Sequence, residues 1–122
     1  MQTNKSPNLI VKLSFEFALK TIKYAAKLET QKKFIIANQL LRSGTSIGAN
    51  IREAQNAQSK QDFIHKLKIA AKEADENEYW LLLCNASNYP DCHDMINDVN
   101  ILIKILSKII ATTKNSISGS KK

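Results

Sequence analysis

Polar positions recur along the first quarter of the chain with helical spacing. Lys12, Glu16, Lys20, Lys23 and Lys27 are separated by four, four, three and four residues, which draws one stripe along a helix. Both flanks of that stripe are apolar. Val11, Phe15, Ala18, Ile22 and Ala25 lie on one side, and Leu9, Leu13, Phe17, Tyr24 and Leu28 on the other. The pattern predicts a helix over 7–30, opened by Ser6 as N-cap and Pro7 at the first helical position, the preferred order for those residues. A second helix is predicted over 31–56, with Ile36, Leu40, Ile47, Ile51 and Ala54 at core spacing. Gly44 and Gly48 fall inside it on one face, each costing about 1 kcal/mol relative to Ala. Close approach of another helix is the natural compensation.

A third helix is predicted over 60–85. Ser59 can cap it, Asp62 suits the positive end of its dipole, and Phe63, Leu67, Ala70, Ala74, Leu81 and Cys84 form its seam. Asn85–Pro90 reads as a loop, with Asp91 placed to cap a fourth helix over 92–113. Ile96, Val99, Ile103, Leu106 and Ile110 mark that helix, and Leu102, Ile105 and Ile109 broaden its stripe. Residues 115–122 read as a mobile tail. No strand, internal repeat or long linker is predicted. The fold class is therefore all-α, a single domain over 1–114 in which short loops make an antiparallel up-down-up-down four-helix bundle. Helices 1 and 4 carry more apolar circumference than such a bundle buries by itself, so self-association is expected.

Composition narrows the functional classes. Hydrophobic residues are 43% of 122, enough for a core, while 3 Gly and 2 Pro argue against a turn-rich β architecture. The longest uninterrupted apolar run, Trp80–Cys84, is far too short to span a bilayer. The opening residues carry no apolar signal segment, so a cytoplasmic location without membrane association is expected, with Cys84 and Cys92 as reduced thiols.

Candidate chemistry is sparse. Gly44-Thr-Ser-Ile-Gly48 matches the G-x-S-x-G pattern of a nucleophile elbow around Ser46, but that elbow needs a strand before the serine, and the flanks here read as helix. The G-K-[ST] ending of a phosphate-binding loop is missing. Asp62-Phe-Ile-His65 is one imperfect half of a di-iron pattern, and Cys84, Cys92 and His93 lack tetrahedral zinc spacing. Glu73, Asp75, Glu76 and Glu78 spread over several helix faces, as a solvated surface does. Neither catalytic residue, metal nor cofactor is expected. A polar row on helix 2, formed by Gln39, Ser43, Ser46, Asn50 and Glu53, borders Ile47 and Ile51 and reads as a hydrogen-bond network that fixes register.

Charge is the remaining signal. Lys and Arg total 18 against 11 Asp and Glu, a net of +7. Basic stripes attract phosphate backbones through counterion release. Lys12, Lys20, Lys23, Lys27, Arg42, Arg52 and Lys66 are the expected nucleic-acid contacts. The preponderance of Lys, 16 against 2 Arg, leaves solubilising charge as the alternative, because Arg makes the bidentate phosphate contacts.

Two segments, Leu41–Ala54 and Ser59–Leu67, resemble a known family. Arg42, Ser43, Ser46, Ile47, Asn50, Ile51, Glu53 and Ala54, then Ser59, Asp62 and Phe63, follow the pattern of bacterial four-helix bundle proteins encoded in intervening sequences of 23S ribosomal RNA genes. The likeness covers about residues 6–113. It implies a homopentameric ring, and its relatives include the accessory variability protein of diversity-generating retroelements, which binds nucleic acid and a reverse transcriptase. Gly44, Thr45 and Gly48 depart from the usual Ala, Val or Pro, and Ala54 from a common Gly. The family carries no known catalytic residue. The reading is thus a non-enzymatic, basic oligomer with itself and RNA or DNA as partners, joined by a reverse transcriptase if the chain stands near the retroelement branch. The alternative is a protein-interaction or assembly scaffold that binds no nucleic acid.

Overall fold

A computed structural model describes residues 5–120, with side chains from Leu9 to Ser118. Four helices follow one another: α1 (Lys5–Thr30), α2 (Phe34–Ala54), α3 (Lys60–Ala86) and α4 (Cys92–Ser120). No strand occurs among the described residues. Each helix packs on two neighbours around one core, and the seam between α1 and α4 is the loosest of the four. No helix is long and apolar enough to cross a membrane.

The core follows the seams of the sequence pattern with local shifts. On α2, Leu40, Ile47, Ile51 and Ala54 are buried, and on α3 Leu67, Ala70, Ala74, Leu81 and Cys84 are. Ile36 and Phe63 of the expected seams are half-buried, and their neighbours Ala37 and Ile64 take the core positions. Burying each such leucine or isoleucine contributes about 1.5–3 kcal/mol. On α1 the buried line takes Phe17, Tyr24 and Leu28 from one flank and Ala25 from the other, and joins them to Ile10, Ser14 and Thr21, which lay in neither. Its two hydroxyls are satisfied within the helix, Ser14 Oγ donating to the Val11 carbonyl at 3.1 Å and Thr21 Oγ1 to that of Phe17 at 2.9 Å. On α4 the seam is Met95, Val99, Leu102 and Leu106, while Ile96, Ile103 and Ile110 pack beside it half-buried.

Helix ends also depart from the sequence pattern. α2 starts at Phe34, not at residue 31, because Lys32 adopts a positive φ of 64° and the amides of Gln31 and Lys33 both bond the Leu28 carbonyl, closing a turn. Ser59 caps α3 as expected, accepting from the Asp62 amide at 3.0 Å. Asp91 has a φ of 66°, and its carboxylate turns to Lys27 Nζ at 2.5 Å. Residues 115–120, expected as a tail, extend α4, since no proline interrupts them, and Lys60 Nζ donates to Ser116 Oγ at 2.6 Å. Lys121 and Lys122 lie outside the described residues, as does the expected Ser6 side-chain cap at the other end.

The glycines of α2 explain its tight crossing with α1. A Cβ at Gly44 would stand 2.6 Å from both Oγ1 and Cγ2 of Thr21, a β-branched side chain with little freedom to move. A Cβ at Gly48 would sit 3.4 Å from the Ser14 carbonyl oxygen, an ordinary contact. Apolar surface remains exposed on α1 at Phe15, Leu19 and Ile22, and on α3 at Tyr79, Leu82 and Leu83. Leu9 and, at the start of α2, Phe34 and Ile35 are exposed as well, so the outer surplus falls on α1, on the first turn of α2 and on α3. Helix 4 exposes only Ile101 among its large apolar side chains within the described range, because Ile103, Ile105, Ile109 and Ile110 fold against the core's edge.

Candidate nucleic-acid interface

Helical periodicity fixes where each cation of the sequence pattern points, and the seven do not meet in one patch. Lys20 and Lys27 lean toward α4, where Lys20 Nζ lies 2.7 Å from Asp98 and Lys27 Nζ pairs with Asp91. Asp98, as hydrogen-bond acceptor, holds the Lys20 ammonium above its ordinary range. Arg42 faces α3 and bridges Glu73, at 3.0 Å, and Glu76. Lys66 returns the contact from α3, 3.0 Å from Glu53 on α2. Lys12, Lys23 and Arg52 make no ion pair among the described residues. Arg52 stands over a groove of about 220 Å³ between α1 and α2, lined by Phe15, Ala18, Thr45 and Gly48.

One concentration of charge escaped the sequence pattern. Lys68 on α3 lies against Lys114 on α4, and the proximity pushes the Lys114 ammonium below its usual range. The cause is the like charge of the neighbouring Lys68. Forty-six residues separate the two, and position 114 fell beyond the predicted helix, so no local spacing signalled the pair.

Polar residues of the α2 row form short-range bonds within the helix, and Ser43, like Glu53, also reaches α3. Ser43 Oγ donates to the Gln39 carbonyl at 2.8 Å, Ser46 Oγ to that of Arg42 at 2.6 Å, and Asn50 Nδ2 to that of Ser46 at 2.9 Å. Ser43 is fully buried and accepts from Asn77 Nδ2 of α3 at 3.0 Å. Asn77, equally buried, is the partner that sequence spacing missed, because an asparagine within an acidic stretch reads as surface. Its Oδ1 has no partner among the described residues.

The other motifs sit in settings that suit packing. Ser46 lies mid-helix, with its hydroxyl held by its own backbone and no strand leading to it. Cys84 and Cys92 are buried and free, with Cys92 Sγ 2.9 Å from the Tyr24 hydroxyl, which also donates to the Pro90 carbonyl at 2.8 Å. Burial, followed by the neighbouring Cys92, pushes the Cys84 thiol up to about 12, and burial likewise raises the Tyr24 hydroxyl. Such thiols are poor nucleophiles near neutral pH. His65 and His93 are exposed, and no metal-ligating cluster occurs among the described residues. Glu76, accepting from Arg42 and from Trp80 Nε1 at 3.1 Å, is held below the usual carboxylate range, chiefly by Arg42.

Comparison with known proteins decides the relationship. Residues 7–112 match the 23S rRNA-intervening sequence protein family. The chain belongs to that family. A crystal structure of a protein of unknown function from the S23 ribosomal protein family of Bacteroides thetaiotaomicron VPI-5482 is similar to it at 44% identity and a TM-score of 0.83, over 88% of this chain and 99% of that one. No curated protein matches the chain. The stretch that carried the resemblance, Arg42 to Phe63, covers the second half of α2, the loop after it and the first turn of α3. Arg42, Ser43 and Glu53 of that stretch tie the two helices together, and Ser59 caps the second.

Proposed function

We propose that this 23S rRNA-intervening sequence protein is a non-enzymatic, basic four-helix bundle of antiparallel up-down-up-down topology. In this reading it assembles into a homo-oligomeric ring, a pentamer by its resemblance, and binds structured RNA or DNA in the cytoplasm. The topology is supported by the direction of the cross-helix pairs. Lys20 meets Asp98 and Lys27 meets Asp91, so numbers rise on α1 as they fall on α4. Arg42 with Glu76 and Glu53 with Lys66 repeat that sense between α2 and α3. Assembly is supported by the exposed apolar faces.

The observation that carries nucleic-acid binding is unneutralised charge. Lys12, Lys23 and Arg52 lack acid partners among the described residues, Lys68 and Lys114 crowd each other, and the chain keeps a net +7. Two neighbouring ammonium groups both gain from an anion placed between them. Each added subunit brings the same charge to the assembly's field. Titrating salt against the affinity for a fluorescent duplex RNA and its DNA counterpart tests the reading. Log affinity should fall linearly with log salt at a slope of about −0.9 for each phosphate neutralised on a B-form DNA duplex. Absent binding at low salt would overturn it.

A second reading, an assembly scaffold without nucleic acid, is favoured by one observation. Lys20, Lys27, Arg42 and Lys66 are already engaged by carboxylates of the same chain.

A further inference from the structure

Besides the exposed Phe34 and Ile35 at the start of α2, two apolar strips run along helix faces, on α1 and on α3, and they differ in their charged surroundings. On α1, Phe15, Leu19 and Ile22 are spaced four and three and form one outward strip, with Phe15 63% exposed. Lys12 stands one turn before Phe15 and Lys23 one turn after Leu19, so cations bracket the strip at both ends. On α3, Tyr79 and Leu82 are spaced three, with Tyr79 55% exposed. Asp75 precedes Tyr79 by four and Glu78 precedes Leu82 by four, so carboxylates rim this second face. None of these four charged side chains has an ion-pair partner among the described residues. Every other cation in the expected nucleic-acid set except Arg52 does, through Asp98, Asp91, Glu73, Glu76 and Glu53.

We infer that the basic-rimmed α1 face of one copy docks on the acidic-rimmed α3 face of the next, so that the contact joins two different surfaces of the same chain. The inference rests on the self-association proposed above and names its geometry. An exposed strip of large apolar side chains gains by leaving water, and opposite charges at the rim select the partner and its register. Because lysines bracket the α1 strip, either docking direction brings an ammonium to Asp75 and Glu78. A contact of unlike faces leaves one of each free after every addition, so the assembly grows until it closes into a ring. A pairing of α1 with α1 would stop at a dimer. One consequence separates two groups of cations. Lys12 and Lys23 serve the subunit contact, with Arg52 beside Phe15 at its edge, and Lys68 and Lys114 remain for nucleic acid.

The test uses two single variants of the full chain, Leu19→Asp and Leu82→Asp, each required to keep the parent's helical circular dichroism. Where one does not fold, Phe15→Glu or Tyr79→Lys replaces it on the same face. Each variant alone should run as a monomer in sedimentation velocity, with affinity weakened at least about thirtyfold, as expected for a central interface residue. Mixed, they should form a one-to-one heterodimer and nothing larger, because each supplies the face that the other lacks. Lys12→Glu with Lys23→Glu should also weaken assembly, and Asp75→Lys with Glu78→Lys in the same chain should restore it. If the parent assembles and either variant assembles as the parent does, or if two monomeric variants fail to pair, the docking is overturned while self-association stands. A parent that is monomeric overturns self-association itself.

Discussion

At Gly44 the absence of a side chain is a packing requirement. A methyl group there would overlap Thr21 at 2.6 Å, so Gly44→Ala should lower stability by about 1–3 kcal/mol, as overpacking of a tight contact does. At Gly48 the same methyl would meet only ordinary contact distance, so Gly48→Ala should gain up to about 1 kcal/mol from helix propensity. Urea melts followed by the fluorescence of Trp80, the single tryptophan, measure both. Asn77 presents the opposite problem, a buried side chain half satisfied. Its Nδ2 donates to Ser43 while Oδ1 has no partner among the described residues, so Asn77→Leu removes an orphan acceptor and fills the space, and Asn77→Ala leaves a cavity. Asn77→Leu should be at least about 2 kcal/mol more stable than Asn77→Ala in the same melt. Sequence spacing marked Ser43 as a bordering polar residue, but its partner on another helix depends on the packed register, which no single segment encodes.

Between elements, the α2–α3 pair carries the densest electrostatic stitching. Arg42 reaches Glu73 and Glu76, and Glu76 also receives Trp80 Nε1. The contribution is modest, because exposed ion pairs are worth about 0–1 kcal/mol each. Its pH dependence has a definite sign. Arg42 lowers the Glu76 pKa in the folded chain, so the stabilisation is full above the ordinary glutamate range and is lost as pH falls through the folded value. Glu76→Gln should therefore cost stability at pH 7 and make little difference once the pH is below the folded value, as thermal melts across pH will record. The seams of α2 and α3 were legible because apolar residues at 3.6-residue period leave one choice of buried face. The α4 seam was less so. With isoleucine or leucine at 101, 102, 103, 105, 106, 109 and 110, several faces are equally apolar, and contact with α3 and α1 selects the line through Met95, Val99, Leu102 and Leu106. The start of α2 was displaced by the left-handed turn at Lys32, a conformation that the residue type does not announce.

For the whole molecule, charge and grease divide the surface between them. The expected basic stripe was drawn from linear spacing on α1, and carboxylates at Asp91 and Asp98 of α4 occupy two of its lysines. That pairing is invisible until the chain folds, since more than sixty residues separate the partners. The Lys68–Lys114 contact arises in the same way between α3 and α4. What the sequence spacing did convey is that the apolar girth of α1 exceeds what its two neighbours cover, and Phe15, Leu19 and Ile22 are the residues left facing solvent. Burying such a surface between copies of the chain is the central claim. Sedimentation velocity of the intact chain at micromolar concentration and moderate salt tests it most directly. The account predicts a discrete species whose mass is a multiple of 13.7 kDa, and a single species of 13.7 kDa across that range would contradict it.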